Sequence, residues 1–113
     1  MRFEDLEVWK RSCRLSVEIY KGLYGCKDYG FKDQITRSSL SVPSNIAEEF
    51  ERNSDKDSVK FFYYAKGSRG ELRTQIYIGM EIGYIAKDTG FAWKNEAEQL
   101  SKMLAALIKS RTT

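Results

Sequence analysis

Apolar residues recur along this chain at spacings of three and four, and the period breaks at a few glycine-rich or polar points. Leu6, Trp9, Cys13, Val17 and Tyr20 share one helical face, which predicts a first helix over about 4–23. Gly22, Gly25 and Gly30 then interrupt the pattern. Phe31, Ile35, Ser39, Val42, Ile46 and Phe50 define a second helix over about 31–52. Pro43 lies inside that helix and removes one backbone donor, but Ile46 and Phe50 keep the phase set by Ile35 and Val42, so the helix continues through it. Asn53-Ser54-Asp55 is a polar break, with Ser54 or Asp55 as an N-cap for a third helix over about 56–86. Lys87-Asp88-Thr89-Gly90 is the next break, and Ala97, Leu100, Leu104, Leu107 and Ile108 mark a fourth helix over about 89–111. Four helices on short connections predict one all-α domain over 1–113, an up-down-up-down antiparallel four-helix bundle.

Composition narrows the function more than it identifies it. The 113 residues suit a single domain, and a 42% hydrophobic content can fill a bundle core. No stretch is long and apolar enough for a membrane span or a signal peptide, so a cytoplasmic protein without membrane association is the expectation. The chain has no histidine, which excludes Ser-His-Asp and Cys-His catalysis and the Glu-x-x-His ligands of a di-iron bundle. Cys13 and Cys26 lack metal-ligand spacing and read as packed thiols. Glu48 and Glu49 are candidates for a magnesium site, but adjacent side chains on a helix point about 100° apart and cannot share an ion unaided. The expectation is therefore no enzyme, no metal and no cofactor. Nineteen basic against sixteen acidic residues give a net charge of +3, which permits nucleic-acid binding without arguing for it.

Several strings exceed a generic helical pattern. They are Phe3-Glu4-Asp5-Leu6 with Val8-Trp9, Gln34 and Arg37, the proline-containing run Ser41-Val42-Pro43-Ser44-Asn45-Ile46-Ala47-Glu48, and Phe61, Ala65, Gly67-Ser68, Glu71-Leu72 and Thr74-Gln75. Leu100-Ser101-Lys102-Met103-Leu104 and Leu107-Ile108-Lys109 complete the set. Together these resemble the bacterial four-helix bundle family named for proteins encoded in intervening sequences of 23S ribosomal RNA genes. The accessory variability proteins of diversity-generating retroelements look like relatives. Glu49 departs from the family pattern, which usually has glycine there, and Ala86 stands where an N-cap serine is usual. The resemblance implies a left-handed bundle assembling as a ring, typically a pentamer, tied to RNA or to nucleic-acid enzymes and without catalytic activity.

Three residue groups carry the functional expectations. Arg37, Ser41, Ser44 and Glu48 form one stripe of the second helix, with Asn45 in the same motif, and Tyr64, Ser68, Glu71 and Gln75 form one stripe of the third. Antiparallel folding about the Asn53-Ser54-Asp55 turn puts Arg37 level with Glu71 and Ser41 level with Ser68. This predicts a polar network that fixes register, or a polar strip that lines a ligand site or pore. Val59, Phe62, Lys66, Arg69, Arg73, Tyr77, Met80 and Tyr84 share another face of the third helix, with cations at its middle and aromatics at its ends. It reads as a surface for RNA or single-stranded DNA centred on Lys66, Arg69 and Arg73, extended by Lys10, Arg11 and Arg14. The run Phe61-Phe62-Tyr63-Tyr64 surrounds most of its helix, so one core cannot bury all four, and Phe62, Tyr63 and Tyr77 are expected at a homo-oligomer interface. Three function classes stay open: a nucleic-acid-binding oligomer, a protein adaptor that holds a partner such as a polymerase, and a small-molecule enzyme.

Overall fold

The computed structural model describes residues 2–52 and 58–112, and within them the chain is four helices. After a short 3-10 turn at Phe3–Asp5 come α1 (Glu7–Gly22), α2 (Tyr29–Arg52), α3 (Lys60–Glu81) and α4 (Lys87–Thr112). Packing is cyclic: α1 lies against α2, α2 against α3, α3 against α4, and α4 closes on α1. Among the described residues α1 and α3 are thus diagonal, as are α2 and α4. The rod measures 43 × 21 × 20 Å, and the all-α four-helix bundle expected from periodicity is the observed fold.

The helix ends differ from the sequence reading for local chemical reasons. Leu6 is extended (φ −76°, ψ 128°) and separates the N-terminal turn from α1, which therefore starts at Glu7 rather than near residue 4. Gly30 does not break the chain. Asp28 Oδ1 accepts the Phe31 N–H at 3.1 Å and caps α2, which begins at Tyr29 with Gly30 in its first turn. The third helix ends at Glu81 instead of residue 86, because Gly83 takes a left-handed conformation (φ +87°) and the N–H groups of Tyr84 and Ile85 turn back to the Gly79 carbonyl. The fourth begins at Lys87, so the expected Lys87–Gly90 break is its first turn. The Ser54 or Asp55 cap and the start of the third helix at Lys56 lie outside the described residues.

The stripes on α2 and α4 are as read, with Ile35, Val42, Ile46, Leu100, Leu104 and Ile108 buried. On α1 the phase is off by about one residue. Val17 and Tyr20 are 51% and 44% exposed, and the buried face is Val8, Ser12, Leu15, Ser16 and Ile19. The small serines allow a close α1–α2 approach: Ser39 Oγ donates to the Thr36 carbonyl (2.8 Å), leaving Ser16 Oγ to donate to Ser39 Oγ (2.9 Å). Pro43 is buried inside α2, which runs unbroken past it.

A buried carboxylate secures one end of the bundle. Glu49 is 0% exposed, and its Oε1 accepts the Phe61 N–H at 2.9 Å, capping α3 from α2 where Val59 offers no side-chain cap. Arg111, from the last turn of α4, places Nη1 3.7 Å from Glu49 Oε2 and donates to the Ser58 carbonyl at 3.0 Å. Its guanidinium lies 5.0 Å from the ring centres of both Phe50 and Phe62. Glu48 and Glu49 diverge as their spacing requires, Glu48 pairing with Arg52 at 3.5 Å on the surface. No group of three metal-ligating side chains occurs among the described residues. No described helix is long and apolar enough to cross a membrane.

Candidate nucleic-acid interface

The three cations expected to form a basic stripe on α3 have separate fates. Arg69 and Arg73 lie one turn apart and both turn to Glu98 on α4, reaching the same Oε1 at 3.1 and 3.2 Å. Arg69 keeps only 15% of its side chain exposed, whereas Arg73 keeps 47%. Lys66 is half-buried and has no carboxylate partner among the described residues. One carboxylate balances one guanidinium, so the cluster retains excess positive charge, and Arg73 presents it to solvent.

Two residues that the sequence reading passed over complete this surface. Lys94, on α4, stands 5.4 Å from the ring centre of Tyr77 and 5.7 Å from that of Phe91. Tyr77 and Phe91 are 53% and 55% exposed. The signal was present in the spacing: Phe91 and Lys94 are three apart, so one face of α4 carries both. The result is a surface along the α3–α4 seam where exposed rings alternate with cations, the combination that can stack a base and neutralise a phosphate.

The supporting basic residues on α1 do not join it. Arg11 grips Glu96 with two parallel bonds, Nε to Oε2 at 2.8 Å and Nη2 to Oε1 at 2.5 Å. That bond holds the Glu96 carboxyl below the usual carboxylate range and raises the Arg11 guanidinium further. Lys10 sits 3.9 Å from Glu7, and exposed Arg14 shares the α1–α4 groove with Glu96 and adds its positive field to that of Arg11 there. Cys13, half-buried on the same helix, has its thiol pushed up by burial, which disfavours the thiolate.

Phe62 is a correction. It is completely buried in its own chain, edge-on to Phe50, and cannot contact another subunit. Tyr63 and Tyr77 are exposed. The polar network is divided likewise. Ser41 Oγ accepts from Ser68 Oγ and from Asn45 Nδ2, each at 2.9 Å, joining α2 to α3. Arg37 does not meet Glu71; it pairs with Asp33 one turn back at 3.3 Å, and Glu71 is exposed. The two residues share a level but not an azimuth. Ser44 faces solvent, Glu48 is held by Arg52, and Gln75 keeps a buried Oε1 with no partner among the described residues.

Comparison with known proteins places this geometry in a family. The family model described as 23S rRNA-intervening sequence protein matches residues 4–106. A crystal structure at 1.70 Å of a protein with unknown function, from the S23 ribosomal protein family of Bacteroides thetaiotaomicron, superposes with a TM-score of 0.82. It is 25% identical and covers 90% of this chain and 98% of its own. No curated protein sequence matches. With nearly its whole length matched by the family model and the same bundle in a solved neighbour, this chain belongs to the 23S rRNA-intervening sequence protein family.

Proposed function

We propose that the chain is a cytoplasmic, non-enzymatic homo-oligomeric module that binds single-stranded nucleic acid, RNA above all, along the α3–α4 seam. The observation that carries this reading is the sharing of Glu98 by Arg69 and Arg73 beside Lys94, Tyr77 and Phe91. One acid among three cations leaves a positive surface, and the two exposed rings suit sequence-tolerant stacking. The lack of histidine supports a binding role over catalysis. A ring of five is the assembly the family resemblance implies, and repetition around a ring would multiply the modest charge of each subunit.

Fluorescence anisotropy with a labelled single-stranded RNA over a salt series tests the reading. Binding should weaken steeply with salt, and Arg73→Ala with Lys94→Ala should lower the log-log slope by about 0.7 for each phosphate no longer neutralised. Tyr77→Ala and Phe91→Ala should weaken affinity with the slope unchanged. Absence of binding at low salt, or binding indifferent to all four substitutions, overturns it. The second reading, a protein adaptor, draws on an apolar groove of about 340 Å³ between Leu6, Val8, Met103 and Leu107. It predicts a protein partner and no RNA affinity.

A further inference from the structure

The α1–α2 and α3–α4 connections meet at one end of the bundle, and most of the exposed aromatic rings among the described residues gather there. Tyr84, in the second connection, donates its hydroxyl to Asp28 Oδ2 in the first at 2.9 Å, and its ring stands edge-on to Phe31 at 5.3 Å. The two connections therefore form one surface. Tyr77 and Phe91 of the α3–α4 seam reach this end from one side. On the other side Tyr20, Tyr29, Lys32 and Asp33 line a concavity of about 530 Å³. Tyr29 is 71% exposed and neighbouring Tyr24 83%. A single exposed ring is ordinary on a protein surface, but a cluster around a concavity marks a place where something binds.

Lys32 supplies a positioned cation beside these rings. Its Nζ donates to the Tyr24 carbonyl at 3.0 Å and lies 5.5 Å from the Tyr24 ring centre. A carbonyl takes one of its three donors and leaves its charge uncancelled. The acids of this end are turned to protein groups. Asp28 accepts from the Phe31 N–H and from Tyr84, and Asp88 accepts from the Thr89 N–H. Asp33 pairs with Arg37, Glu18 accepts from the Trp93 indole, and Glu81 stands exposed at the end of α3. Lysines and acids are close to balanced here, so the rings, more than the overall field, are what this end offers a ligand.

We infer that this concavity is a second nucleobase subsite, and that one single strand runs from Tyr77 and Phe91 over the end of the bundle to Tyr29 and Tyr20. The inference rests on the nucleic-acid reading above and extends its site. A nucleotide carries both chemistries that the concavity matches, a flat base for the tyrosine rings and a phosphate for the Lys32 ammonium. An apolar partner fits worse, because it would cover Lys32 and Asp33 and take their charges out of water. Exposed Tyr24 and Tyr84 lie between the two subsites, with Lys27 and Lys87 beside them. The bundle is 21 × 20 Å in cross-section, a width that several nucleotides of extended strand can cross. The seam then supplies most of the charge-dependent affinity and the α1–α2 corner adds stacking.

Anisotropy titrations of the full chain with labelled oligouridylates of about 4 and about 16 nucleotides, the range of single-strand site sizes, test this. The longer strand should bind more tightly. Tyr20→Ala with Tyr29→Ala should weaken the longer strand by roughly 5- to 150-fold and leave the shorter one, held at the charged seam, unchanged. The salt slope should stay as it was in that pair, whereas Lys32→Ala should lower it by about 0.7 for the longer strand. Tyr20→Phe with Tyr29→Phe keeps the rings and should bind as the wild type does, which separates stacking from a folding defect. Affinity for the longer strand that ignores the alanine pair, or that falls equally in the phenylalanine pair, overturns this inference alone. A wild type that binds neither length overturns the nucleic-acid reading and this inference with it.

Discussion

The guanidinium of Arg11 and the carboxylate of Glu96 form the best-aligned ion pair of the bundle, two near-parallel bonds from α1 to α4. These two helices close the four-helix cycle. Because the pair lowers the folded-state pKa of Glu96, its contribution is complete above the ordinary carboxylate value of 4.5 and is lost as pH falls through the lower folded value. Urea unfolding followed against pH should show Arg11→Ala destabilised by roughly 1–2 kcal/mol near neutrality. The wild-type advantage should shrink below about pH 4.5. An advantage constant down to pH 2 would assign it to packing of the arginine stem instead.

Removing Glu49 should be far more damaging than removing any surface acid. Glu49→Ala strips the cap from α3 and leaves Arg111 without its counter-charge between two phenyl rings, a loss of about 3–5 kcal/mol. Glu49→Gln keeps an acceptor for the Phe61 N–H and should cost less. Chemical denaturation distinguishes them; equal losses would mean that charge alone matters and the cap does not.

Two glycines in tight places should respond differently to alanine. At Gly79 a Cβ would come 2.5 Å from Ile85 Cδ1 and 2.9 Å from Phe31 Cζ, both held in packed side chains. Gly79→Ala should therefore cost about 1–3 kcal/mol despite the better helix propensity of alanine. At Gly90 the obstruction is Met80, whose flexible thioether can move aside, so Gly90→Ala should cost less. Thermal unfolding of the two variants checks the order, and a reversed order would contradict it.

Ser41 and Ser68 should be energetically coupled. Ser41→Ala leaves the Ser68 hydroxyl without its acceptor, while Asn45 Nδ2 keeps the Ser41 carbonyl, at roughly 1 kcal/mol. The double variant with Ser68→Ala should lose less than the sum of the singles. Strict additivity would show that the α2–α3 register is fixed by apolar contacts alone.

Level along the helices was legible in the sequence, and direction around them was not. Antiparallel folding placed Ser41 beside Ser68 and Arg37 level with Glu71. Only the first pair meets, because a level says nothing of azimuth. Helix α3 misled most, since its apolar residues surround it. Phe62 and Met80 lie at the edge where α4 packs, so a face drawn through the cations included two core residues. On α1 two apolar stripes compete, and the serines Ser12 and Ser16 decided for the one that looked more polar. Glu49 has no place in the expected core, only a paired candidacy with Glu48 for magnesium. Its spacing of three from Ile46 and seven from Val42 puts it in the buried phase, and that was the available clue.

Arg111 also bears on where this domain must end. The family pattern stops at residue 106, five residues short of the cation that answers Glu49. Trimming the chain at that boundary would spare most of the apolar stripe of α4 while removing the arginine that faces a fully buried acid. The indispensable end of the last helix is set by a counter-ion, and a boundary drawn from hydrophobic matching alone would cut it away.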